Sequence, residues 1–65
     1  MRSRLLDSFE DRYDDIEKVP NIEERLRRYK ELAADTKKYR GVAEIEDIYY
    51  CSLYWANRIE AYLYN

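Results

Sequence analysis

The chain contains one proline and one glycine, and their positions constrain its fold more than any other feature. Pro20 and Gly41 divide 65 residues into three stretches of similar length, each with apolar residues at helical spacing. Both connections are very short, which makes neighbouring helices antiparallel. The expected fold is all-α, an up-down-up three-helix bundle forming a single helical domain over residues 1–65, with helices at about 3–18, 21–40 and 42–64. The alternative is a helical hairpin with one long helix through Gly41, since an internal glycine costs only ~1 kcal/mol. Basic residues before Gly41 and acidic residues after it favour the break.

In the first stretch Leu6, Phe9, Tyr13 and Ile16 share one face, flanked by Leu5 and Arg12. Asp7, Glu10, Asp11, Asp14, Asp15 and Glu17 occupy the opposite side. The ring of Pro20 pushes Val19 out of the helical region and ends the element. Asn21 then reads as an N-cap, with Glu24 at the acidic position of a capping box. Ile22, Leu26, Tyr29, Ala33 and Thr36 form the second stripe, widened by Leu32 and Tyr39. Lys37, Lys38 and Arg40 crowd the end of this helix, as its dipole favours, and Gly41 is expected to close it in the left-handed conformation.

The third stretch is the least ordinary. Val42, Ile45, Ile48/Tyr49, Ser52, Trp55/Ala56, Ile59 and Tyr62/Leu63 recur with near-heptad spacing over roughly 34 Å. Tyr50, Leu53, Tyr54, Ala61 and Tyr64 lie on other sides of the same helix. Tyr50 and Tyr54, four apart, are expected to stack as neighbours, with Trp55 turned into the core. A helix apolar nearly all round is normally buried on all sides, which two partner helices cannot achieve. The expectation is a non-catalytic interaction or regulatory module. It would meet a protein partner through Tyr50, Leu53, Tyr54, Ala61 and Tyr64, most commonly a second copy in a homodimer. The competing reading is of tyrosine rings lying on the surface with their hydroxyls in water.

Size points the same way. A chain this short buries only roughly 60% of the surface it exposes unfolded, and small domains lean on disulfides, metals or partner subunits. Cys51 is the single cysteine and there is no histidine, so neither an internal disulfide nor a structural zinc site is expected, and no cofactor or small-molecule ligand is called for. Without histidine the commonest general base is missing, and Ser3, Ser8 and Ser52 have no partner base at a recognisable spacing. Cys51 reads as a small hydrophobe, and an enzyme is not expected. The N-terminal apolar run is two residues, too short for a signal peptide, and no stretch approaches the ~20 residues of a membrane span. A cytoplasmic, soluble protein is expected.

Two charged faces offer alternatives. Residues 21–40 hold seven bases and four acids, a local charge of +3, and Arg27, Arg28, Lys30, Lys37 and Lys38 could contact phosphates as a nucleic-acid regulator. The pairs Glu23–Arg27 and Glu24–Arg28 would absorb part of that charge within the helix. After Gly41 the chain opens with Glu44, Glu46 and Asp47, which would repel phosphates where a helix-turn-helix places its reading helix. The acids Asp7, Glu10, Asp11, Asp14, Asp15 and Glu17 could instead dock a basic protein, as a decoy for a phosphate backbone.

Overall fold

A computed structural model describes residues 4–64. Three α-helices run in order, α1 (Arg4–Glu17), α2 (Ile22–Thr36) and α3 (Ala43–Tyr64), with a 3-10 turn over Lys37–Tyr39 after α2. They pack as a three-helix bundle, and the long-helix alternative is not adopted because the chain turns between Lys37 and Val42. The main contact is α2 against α3, with α1 laid across both. The Cα radius of gyration is 11.9 Å, above the ~11 Å of a compact domain this long. The excess comes from α3. Its 22 residues span about 33 Å, against about 21 Å for the 14 of α1.

The apolar stripes meet in one core. Leu6, Phe9 and Ile16 of α1 close on Leu26, Tyr29 and Leu32 of α2 and on Ile45, Ile48, Ala56 and Ile59 of α3. Tyr13, Ile22, Tyr39 and Leu63 pack around its edge. Leu32, expected only to widen the α2 stripe, is fully buried at its centre. Thr36 and Ser52 are the buried polar residues. The Thr36 hydroxyl lies 2.7 Å from the carbonyl of Leu32 and 3.2 Å from that of Ala33. The Ser52 hydroxyl has no hydrogen-bond partner.

The helix ends follow the local chemistry, with corrections. The amides of Lys18 and Val19 bond back to Asp15 and Ile16 at 3.1 Å, tightening α1 as it stops before Pro20. The guanidinium of Arg25 then donates to the carbonyls of Val19 and Glu17. A side chain of α2 thus satisfies groups that the end of α1 leaves open. Asn21 is extended, and its Oδ1 accepts the Glu24 amide at 3.0 Å. The capping box is only half made, because Arg27 and Arg28 take the Glu24 carboxylate.

Two expectations about the second turn fail. α2 does not reach Arg40, and Gly41 is not left-handed, for no described glycine has positive φ. Thr36 and Arg40 both remain in right-handed space, and Val42 donates to the Tyr39 carbonyl at 2.9 Å. The turn is made by tightening the helix, so no mirror-image residue is required. Val42 belongs to this turn, where its carbonyl accepts the Glu46 amide at 2.8 Å, and its side chain is exposed rather than in the core stripe.

Candidate interaction surface

α3 carries core residues on one side and aromatic residues on most of the rest. Ile45, Ile48, Ser52, Ala56 and Ile59 face the other helices. Tyr50 (52% exposed), Tyr54 (52%), Trp55 (41%), Tyr62 (77%) and Tyr64 (69%) do not. Of the residues expected on this face, Tyr50, Tyr54, Ala61 and Tyr64 are exposed and Leu53 is half-buried. Trp55 is a correction. Ala56 takes the core position, and its small side chain suits close helix approach, while the indole turns toward the edge of α1.

The rings pair differently from their spacing. Tyr50 meets Tyr49 edge-on, with centroids 5.1 Å apart, and Tyr54 meets Trp55 at 5.2 Å. The expected Tyr50–Tyr54 stack is not formed. Arg58 lies 5.6 Å from the Tyr54 ring centre and donates to the Tyr54 hydroxyl at 3.2 Å. On the opposite flank Arg40 sits 5.7 Å over Tyr49. Cations here lie on tyrosine faces, a favourable electrostatic contact with the ring quadrupole.

Beside Trp55 the surface sinks into a groove of about 440 Å³, lined by Glu17, Ile22, Arg25, Tyr29, Trp55, Arg58, Ile59 and Tyr62. It exists because α1 ends at Glu17, while α3 continues to Tyr64. Tyr29 lines it, and behind Tyr29 stands Tyr13, with ring centroids 5.9 Å apart. Burial pushes the Tyr13 phenol above its usual value, helped by Cys51 and Glu17 and opposed by Trp55. Burial raises Tyr29 as well, with Tyr13 and Glu17 adding and Arg25 opposing. Cys51, read from the sequence as a small hydrophobe, is exposed and lies against Tyr13. Little in the sequence pointed to the groove. Only the difference in helix length, readable from Pro20 and Gly41, could have pointed to it.

The charged faces are more occupied than the sequence implied. Arg27 is held by Glu24 and Glu31 instead of the expected Glu23, and Arg28 by Glu24 at 3.0 Å. These contacts hold the Glu24 carboxyl down at about 2. Lys30 reaches across to Glu60 of α3 at 2.8 Å. Lys37 lies at the far end of α2, and Lys38 sits 5.3 Å from the Tyr39 ring centre. The five candidate phosphate contacts are thus divided between an ion-paired stretch and a separate turn.

On α1, Asp7, Asp11, Asp14, Asp15 and Glu17 are exposed and Glu10 is half-buried. Asp15 lies 3.9 Å from Lys18 and lines a shallow depression with Arg12, Arg27 and Arg28, while Glu17 lines the groove on the other side. The acidic face therefore splits between two surfaces. Among the described residues no cluster of acids and cysteine could hold a metal ion, and no helix is long and apolar enough to cross a membrane. Neither a family model, nor a curated protein, nor a solved structure matches the chain.

Proposed function

We propose that this chain is a small, non-catalytic interaction module that docks onto another protein chain through the outward aromatic face of α3. One observation carries the reading: Tyr50, Tyr54, Trp55, Tyr62 and Tyr64 are all exposed along a single helix. Tyrosine and tryptophan supply large contact area at low entropic cost and dominate the energetics of protein interfaces. No charged residue stands between Asp47 and Arg58, so the middle of this face can be desolvated cheaply. The groove beside Trp55 adds a concave edge into which a partner side chain fits. A phosphate-binding role for α2 has less support, since Arg27, Arg28 and Lys30 already face carboxylates.

The test places a photo-crosslinking phenylalanine derivative at Tyr50, in cells expressing the chain. A discrete protein adduct is expected, lost when Tyr54→Glu is added and retained when Lys37 and Lys38 are changed to Glu. The same derivative at Asp11, on the outer ridge of α1, is the control. Position 50 crosslinking no more than position 11, or unaffected by Tyr54→Glu, would place the contact elsewhere.

A further inference from the structure

The aromatic face of α3 holds two opposite charges in an order that matters. At about 100° per residue, Asp47, Cys51, Tyr54 and Arg58 fall within about 60° of one another, off the core stripe, with Cys51 on the flank that meets Tyr13 of α1. All four are exposed. Arg58 is the only base in α3, and it meets the ring and hydroxyl of Tyr54. Asp47 makes no ion pair with any described residue. Elsewhere, charges that meet a neighbouring helix do find partners, as Lys30 finds Glu60 and Arg12 finds Asp35 at 2.9 Å.

The spacing of the stripe is four, three, four, which reads the same in both directions. A two-fold axis midway between Cys51 and Tyr54 brings Asp47 level with Arg58 of a second copy and Cys51 level with its Tyr54. A parallel arrangement would instead bring like charge against like and align the helix dipoles. The 4-3-4 step is also the seam spacing by which helices pair.

Resting on the reading of this face as a docking surface, we infer that its partner is a second copy of the chain, held antiparallel along α3 with Asp47 of each copy facing Arg58 of the other. Such an interface is isologous and closes at two chains. Tyr50 and Tyr54 form its apolar centre, with Trp55 on the flank toward α1, and the two Asp47–Arg58 contacts set its register. The two Cys51 residues lie three positions apart along the axis, about 4.5 Å at the helical rise.

Charge reversal tests both partner and register. Sedimentation equilibrium of the wild-type chain is expected to give twice 8.0 kDa at high concentration. Asp47→Arg alone and Arg58→Asp alone should each weaken the dimer by more than about tenfold, because every pair then sets like charges together. Mixed in equal amounts, the two variants should recover near-wild-type affinity as a heterodimer, since both pairs are again complementary. A short bismaleimide should link Cys51 to Cys51 in the wild-type dimer and in that mixture. Far-ultraviolet circular dichroism of each variant establishes that α3 remains helical.

A wild-type chain that stays monomeric overturns the inference. So does a dimer insensitive to the single reversals, or a mixture that fails to recover. These failures are separable from failure of the docking reading itself. An adduct at Tyr50 with a protein of another mass, blocked by Tyr54→Glu, leaves that reading standing and excludes the self-pairing.

Discussion

Ser52 shows how one atom can work against the fold that surrounds it. Its side chain is fully enclosed, and its hydroxyl reaches neither a carbonyl nor a neighbouring side chain. A buried hydroxyl without a partner costs about 1–3 kcal/mol of lost hydration. Ser52→Ala removes that cost, improves helix propensity and leaves only a small void, so it should raise stability by ~1 kcal/mol. In a domain of this size the melting midpoint would rise by about 5 °C. A thermal melt showing destabilisation would mean that the hydroxyl has a partner after all. Thr36 is buried to the same degree but donates to carbonyls of its own helix. The sequence marks both as small residues on a packing stripe, and only the backbone around each decides which hydroxyl is satisfied.

At the level of elements, the turn between α2 and α3 departs furthest from expectation. A glycine after a basic helix end ordinarily marks a left-handed cap. Here the chain turns in right-handed space, and a side chain built on Gly41 would meet nothing within 4 Å. Gly41→Ala should therefore stabilise by about 0.4–1 kcal/mol, mainly by restricting the unfolded chain. Chemical denaturation reads this directly, and a loss of stability would imply that Gly41 does use positive φ in solution. The first turn behaves differently. Pro20 and Asn21 act through their own backbone restrictions, so the end of α1 and the start of α2 are legible residue by residue. The Arg25 contacts are not, because they depend on how α2 folds back over the end of α1.

Across the whole molecule, Tyr13 and Tyr29 report the seam where all three helices meet. Burial raises both phenols, so each resists ionisation in the folded chain more than in the unfolded one. Below the ordinary phenol value of 10.0 both states hold these protons, and the contribution to stability is fully present. As pH rises through the raised folded values, the unfolded chain loses protons first, and that contribution disappears. Alkaline titration should show tyrosinate absorbance developing later in the native chain than in denaturant, with helicity falling as the late groups ionise. Overlay of the two curves would count against a buried seam.

How much was legible depended on whether the signal was local. Periodicity, Pro20 and Asn21 determined the fold class, the first turn and most of the core, because a stripe at 3.6 spacing must face inward wherever the helix is placed. α3 was ambiguous on the same grounds. With apolar residues on most sides, its period does not choose between Trp55 and Ala56, and both the choice and the groove follow from where α1 stops. The candidate interface was therefore half readable: Tyr50, Tyr54 and Tyr64 from the sequence, Trp55 and Tyr62 only from the packing. Sequence determined which surfaces are apolar. Tertiary structure decided which of them remain uncovered, because three helices of unequal length cannot bury the longest one on every side.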